Sequence, residues 1–492
     1  MFEFTGKLKT ISVVLMIIGV ISIAFSFLGG AGSHEADHSE NTEHHESAAA
    51  HGDEKADHHP QQHAEEHVEH TAGTHGGAHG EGHHAADIPP ANAISYHKSA
   101  PQATPGNQHK HQIEAHHDAE HTHHQMQNRP WANLLTNNFF FLAISLGGLF
   151  FLAVQYAAQA GWTVVVLRVL EAMTRFLWVP MLIMLAIVFT AWFHLGGNHL
   201  YHWFAEGIMD PDSANYDSII AGKQAYLNGP FFTIRTLIYF VGWVGAAHLL
   251  RKMSLKMDQS GVDYARNWVK MRNLSAGFLV FFAVTSSTSA WDFIMSIDTH
   301  WFSTLFGWYV FAGMFVSALT VLMIIVLFLK MNGYLEQVNK SHIHDMAKFM
   351  FAFSIFWTYL WFSQYMLIWY SNIPEEVTYY MIRFREYKGL FITMLVMNFL
   401  FPVLVLMSRD SKRNYGFIIA AGIVMLMGHW LDVYIMIHPG TVGVNWSIGL
   451  THLGTFLGFA GAFMFFTFRA LAKVPLMPEN HPMYLESKYH HI

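Results

Sequence analysis

Ten stretches of mostly apolar residues recur along this chain, at about 10–29, 132–156, 165–194, 228–250, 273–295, 303–329, 348–371, 387–408, 415–437 and 447–471. Each is close to the roughly 20 residues that a helix needs to cross the hydrocarbon core of a bilayer. Inside lipid every backbone polar group must be satisfied within the segment or in a closed barrel, so this pattern restricts the chain to an all-α integral membrane protein of about ten transmembrane helices. The charged fraction agrees, at 13% against about 25% in soluble domains.

The ten stretches are interrupted once, by residues 31–130, which hold 22 of the 35 histidines and almost no apolar run. This insert mixes His, Glu, Asp, Ala, Gly and Gln with Pro60, Pro89, Pro90, Pro101 and Pro105, a composition that cannot bury enough apolar surface to offset chain entropy. It is read as disordered. The organisation is therefore a transmembrane anchor over 1–30, the histidine-rich insert over 31–130, a helical membrane domain over 131–475 and a tail over 476–492. The first stretch follows Lys7 and Lys9 and precedes Ala31, Gly32 and Ser33, as a cleaved signal peptide would. Its apolar core is longer than the 7–15 residues of a signal, and it is read as a retained anchor.

Lys and Arg in short loops mark the cytoplasmic side. Lys7 and Lys9, then Arg251, Lys252, Lys256, Arg266, Lys270 and Arg272, then Lys330, Lys340, Arg409, Lys412 and Arg413 all fall on one side. Both termini are thereby cytoplasmic, and the insert lies on the outer side of the membrane. One external loop, with Arg383, Arg385 and Lys388, runs against the trend. The external segment 195–227, with Trp203, Phe204, Ile208 and Met209, is read as an amphipathic interfacial helix or a docking surface.

There is no cysteine, which excludes thiolate iron–sulfur ligation, covalent haem attachment through C-x-x-C-H and cysteine zinc sites. The formal charge of −7 is not that of a nucleic-acid binder. A b-type cytochrome needs facing histidine pairs on two helices, and the membrane histidines lie near helix ends. A metal or proton transporter, its histidine-rich loop gathering metal, is the other class considered, but the helices lack a matching set of inward ligands.

Ionisable groups within a bilayer are costly and mark a site or pathway. Most of them gather toward the outer side: His194 ends the third stretch, Arg235 lies in the fourth, Asp292 ends the fifth, and Asp298 and His300 follow in a short connection. His429 and Asp432 lie in the ninth stretch and His452 enters the tenth. Being three residues apart, His429 and Asp432 share a helix face, where the carboxylate can orient or deprotonate the imidazole. Thr285, Ser286, Ser287, Thr288 and Ser289 precede Asp292, as a hydroxyl relay or as small residues for close helix packing. Glu375 and Glu376, after an aromatic-rich seventh stretch, are candidate proton acceptors or solvated loop charges. On the inner side, Arg168, Glu171 and Arg175 are spaced for a structural salt bridge that snorkels to the interface, and His248 lies near a helix end.

The string Ala290-Trp291-Asp292-Phe293-Ile294-Met295-Ser296-Ile297-Asp298-Thr299-His300-Trp301-Phe302-Ser303-Thr304, followed by Gly307-Trp308-Tyr309-Val310-Phe311-Ala312-Gly313, resembles the NrfD/polysulfide-reductase membrane-subunit superfamily. With the string from Trp357 to Glu376 in the seventh stretch, it is similar to the ActF family of bacterial alternative complex III, over roughly residues 130–475. The resemblance implies two four-helix bundles, from helices two to five and six to nine, with the first and last helices peripheral. It implies a haem-free subunit of a quinol:electron-acceptor oxidoreductase, acting on menaquinol or another quinol. The implied partners are an ActC-like paralogous membrane subunit, a periplasmic iron–sulfur subunit, c-type haem subunits and a terminal oxidase or cytochrome c. Haems and iron–sulfur clusters then belong to the partners. Asp292, Asp298 and His300 lie in the matching string; His194, Arg235, His429, Asp432, His452, Ser287, Glu375 and Glu376 rest on depth and charge.

Overall fold

The structure, a computed structural model, describes residues 1–31, 105–259 and 263–491. The chain divides into two compact units, residues 1–33 with 120–492, and residues 34–119. Of the second, only the helical stretch from Pro105 onward is described, and the rest of the expected disordered insert lies outside the described residues.

The fold is all α. Its elements are α1 (Gly6–Ala31), α2 (Pro105–Ala157), α3 (Gly161–Trp192, passing from 3₁₀ turns into regular helix), α4 (Gly229–Met257), α5 (Tyr264–Phe293), α6 (Phe306–Met331), α7 (Lys340–Ser371), the short α8 (Pro374–Arg385), α9 (Lys388–Leu406), α10 (Tyr415–Thr441) and α11 (Leu450–Leu471). Among the described residues nine helices are long and apolar enough to cross a membrane, and the protein is a multi-pass membrane protein. The tenth spanning helix is α7, 32 residues long. Its His, Trp, Tyr, Gln and Ser residues lower its hydropathy, but it packs between α6 and α9 like its neighbours.

One boundary differs from the sequence expectation. Helix α2 starts at Pro105, within the segment read as disordered. Residues 107–129 contain neither Gly nor Pro, and extending a helix whose apolar half is already packed costs far less than nucleating one.

Helices α2 and α6 form the centre, with 89% and 83% of their apolar windows buried, against 11% for α1. A Cβ on Gly147 of α2 would lie 2.7 Å from that of Ala318 on α6, so glycine is what lets these two axes approach. Around them, α3, α4 and α5 pack in sequence, α7 and α10 pack on α6, and α9 packs on α7 and α10. Aromatic contacts close the first group, Phe141 against Phe176 and Phe150 against Phe282. The peripheral helices α1 and α11 pair through small residues: a Cβ on Gly19 would fall 2.3 Å from the Cα of Gly458, and Ser22 seats on Gly454. Van der Waals packing between such stripes is how helices associate where lipid offers no hydrophobic driving force.

Two ends of the molecule are distinguished below. The connection face carries the α5–α6 connection and the segment 193–228, and the tail face carries residues 472–491. The segment 193–228 is not an interfacial helix. It forms 3₁₀ turns at Leu195–Gly197 and His202–Phe204 and a single helical turn at Ser218–Ala221. Trp203 and Ile208 are buried, Trp203 packing on Phe232 of α4, because its apolar residues find protein partners nearer than lipid. The tail is also packed: Ser487 donates to the Trp162 carbonyl at 2.8 Å, and His490 meets Asp345 at 2.7 Å.

Candidate functional site

The last spanning helix of each bundle carries one buried carboxylate. In the first bundle it is Asp292 on α5, fully buried. Arg235 of α4 donates to both carboxylate oxygens at 2.9 Å, and the Tyr239 hydroxyl adds a third bond at 2.7 Å. The guanidinium lies 3.9 Å from the Tyr226 ring centre and 4.3 Å from that of Phe231, and it donates to the Tyr226 carbonyl. Bidentate pairing and two neighbouring aromatic rings thus hold the guanidinium in place.

In the second bundle the carboxylate is Asp432 on α10. The Tyr309 hydroxyl of α6 donates to Oδ1, and the Trp357 indole of α7 donates to Oδ2 at 3.0 Å. Among the described residues no cation pairs with it. Gly313 of α6 faces the same corner, where a Cβ would lie 3.5 Å from Asp432, His429 and Trp357 alike. The sequence expectation that Asp432 orients His429 does not hold. The helix does put both on one face, but donors on α6 and α7 take the carboxylate. His429 packs edge-on to Trp357 at 5.5 Å, and among the described residues neither of its ring nitrogens has a hydrogen-bond partner.

The connection face holds the remaining predicted groups in separate places. Asp298 meets Arg383 of α8 at 3.2 Å. Arg383 is itself buried, stacked at 3.4 Å on Tyr379, and donates to the carbonyls of Ile435 and Met436 on α10. Pro439 lies four residues beyond Ile435 and has no N–H to satisfy that carbonyl, so Arg383 supplies the missing donor while pairing with Asp298. Arg383, which ran against the loop-charge trend, is therefore a structural latch between the bundles. His300 meets Asp217 at 2.6 Å near the surface. Burial pushes the Asp217 carboxyl up, but the Ile220 and Ile219 N–H groups and His300 outweigh it and hold the carboxyl below its usual range.

Other candidates have local roles. Glu375 and Glu376 occupy the first turn of α8, where carboxylates favour the helix dipole. Ser287 packs against Gly307 of α6, and the hydroxyls of Thr285, Ser287, Thr288 and Ser289 bond to carbonyls of their own helix. Ser289, with Ser286, Trp243 and Met314, lines a cavity of about 20 Å³, and the hydroxyls bond to backbone rather than forming a relay among themselves. His194 bonds to the Phe204 carbonyl and stacks on His199 at 5.1 Å. His124 lies 4.4 Å from His199 on its other side. Burial, then the neighbouring His124 and His194, hold His199 down to about 4. His452 takes a bond from the Gly449 N–H at the start of α11 and lies 5.5 Å from His438. The described residues contain no group of three ligands able to hold a metal ion.

Toward the tail face, Arg168 and Glu171 do not snorkel. Both are fully buried and paired at 2.8 Å, with Ser254, Asp258 and Tyr156 completing the network. Arg175 makes no ion pair among the described residues, since the 3₁₀ turn Thr174–Phe176 turns it off the i,i+4 register with Glu171.

Tyr309, Trp357, Arg383, His199, His438 and Asn398 were not singled out from sequence as site residues. Tyr309 and Trp357 do lie in the two family-like strings, whereas Arg383 looked like loop charge. In comparison with known proteins, no family model matches the chain and no curated protein matches it.

Proposed function

We propose that this chain is the haem-free membrane subunit of a respiratory quinol:electron-acceptor oxidoreductase of the alternative complex III kind. In this reading Asp432 is the residue that takes up and releases protons during quinol oxidation. The complex sits in a bacterial inner membrane with both chain termini cytoplasmic and the insert periplasmic. Its iron–sulfur and c-type haem centres are held by partner subunits beside an ActC-like paralogue, and the electrons of menaquinol or another quinol leave through them. The cysteine-free chain supplies helices and protons rather than redox centres.

One observation carries the reading. The string that resembles the family contributes Asp292, Asp298 and Tyr309, and these lead to two buried carboxylates with opposite surroundings. Asp292 is held by a cation. Asp432 is held by neutral donors, and a carboxyl with neutral donors changes protonation without stranding a buried counter-charge.

Purification from the native membrane, with identification of accompanying subunits, is the first test. Copurifying c-type haem and iron–sulfur subunits are expected, and their absence sinks the assignment. In the assembled complex, Asp432→Asn is expected to slow quinol oxidation about a hundredfold, the lower end for a lost acid–base group. Full oxidation with unaltered proton release removes Asp432 from the mechanism.

A further inference from the structure

The polar groups around Asp432 do not end with its two donors. On α9, Asn398 is fully buried, and among the described residues neither its Oδ1 nor its Nδ2 has a hydrogen-bond partner. Its amide rests on α10, where a Cβ on Gly428 would meet Oδ1 at 2.2 Å. The next residue is His429, 2% exposed with both nitrogens likewise unpartnered. On α7, Gln364 lies two turns from Trp357 on the same face, 3% exposed, with an unpartnered Nε2. Three side chains on three helices thus bring five unpartnered polar atoms into the core of one bundle.

The backbone makes a second, independent observation. Residues Val396–Leu400 form a π turn, in which the Phe401 N–H reaches the Val396 carbonyl. Such a turn is rare and is found frequently at functional sites. Here it is centred on Asn398, and Pro402 follows one turn later.

We infer that the core of the second bundle is a binding site for internal water, held between Asn398 of α9 and His429 of α10 and extending along α7 toward Gln364. Buried amides and imidazoles without partners are rare in folded proteins because each costs a lost hydrogen bond. The chemistry of these groups selects the guest. Asn, Gln and neutral His each donate and accept, as a water making about three hydrogen bonds requires. A metal ion would find one imidazole and two amides, a poor set. A ring system is disfavoured, since the Asn398 amide fits against α10 only because residue 428 carries no side chain. Water here stands beside Asp432, whose protein bonds are to Tyr309 and Trp357, and gives that carboxyl a partner for proton exchange inside the bundle. The inference stands on the second bundle alone and does not depend on the respiratory reading.

A density map of the intact wild-type protein that resolves solvent tests this directly. At least one solvent peak within hydrogen-bond distance of both Asn398 and His429 is expected. A dry core, or side chains bonded directly to protein groups, overturns the inference. Asn398→Val, apolar and closer to Asn in volume than Leu is, provides a second arm. If the amide holds water that ties α9 to α10, the variant loses the peak and its melting temperature falls. If the amide is merely orphaned, its removal leaves the melting temperature unchanged or raises it, which also overturns the inference. Should the variant not accumulate, the wild-type map decides. Neither readout involves quinol, so a protein that purifies without redox partners sinks the function proposed above and leaves this site to be judged by itself.

Discussion

The first bundle closes on Asp292 and the second on Asp432, and the two carboxylates differ in what faces them. Arg235 grips the first through two bonds, with Tyr239 adding another. Tyr309 and Trp357, both neutral, hold the second. Burying a charge is tolerable when a counter-charge is built in beside it, and the resulting pair is rigid and permanent. A carboxyl among neutral donors has no such anchor and is free to exchange its proton. One architecture, used twice, thus yields an ion pair in one bundle and a carboxyl held by neutral donors in the other.

The contrast is broken most severely by removing the cation. Arg235→Leu leaves Asp292 buried and unpaired, an expected cost of about 3–5 kcal/mol, read as loss of yield and of melting temperature. Arg235→Leu with Asp292→Leu should recover much of that loss, and failure to do so would show that the pair is not what holds α4 to α5. Next comes the latch between the bundles. Arg383→Ala orphans the Ile435 carbonyl at a cost of about 1–3 kcal/mol. Pro439→Ala restores an N–H to that carbonyl, so the double variant should lose less than the two singles together; strict additivity in a double-mutant cycle refutes the latch. Asp432→Asn sharpens the comparison from the other side, costing no more than about 1 kcal/mol because an amide can still bond Tyr309 and Trp357. A loss as large as that of Arg235→Leu would mean that the two sites are equivalent after all.

Smaller effects belong to the connection face. His199 is neutral in the folded protein down to about 4, against about 6.5 when unfolded. The unfolded state therefore binds the extra proton first, and the packing of residues 193–204 on α2 weakens as pH falls from about 6.5 toward 4. Amide protection in that segment, taken relative to the intrinsic exchange rate at each pH, should be lower at pH 5 than at pH 7, and equal protection would remove the histidine cluster from the stability of this face. The smallest change is His300→Ala. Its pair with Asp217 is half-exposed, with 51% and 27% of the two side chains accessible, and such pairs contribute about 0.2–1 kcal/mol that salt screens away. A larger, salt-independent loss of stability would give His300 a role that its geometry does not suggest.

By itself the sequence determined the class of fold. Apolar runs of spanning length leave the backbone few ways to satisfy its hydrogen bonds in lipid. It also indicated the residues that matter, since charge is rare enough in a membrane for Asp292, Arg235 and Asp432 to stand out. What it could not determine was pairing. Periodicity places His429 and Asp432 on one face of α10, but only the packing of α6 and α7 onto that face decides that Tyr309 and Trp357 take the carboxylate. Arg383 shows the same limit, because a cation in a loop carries no sign of the carbonyl, 52 residues away in sequence, that Pro439 leaves without a donor. Local spacing governs which way a side chain points along its own helix. The partner comes from another helix, and contacts between helices are set by the tertiary arrangement alone.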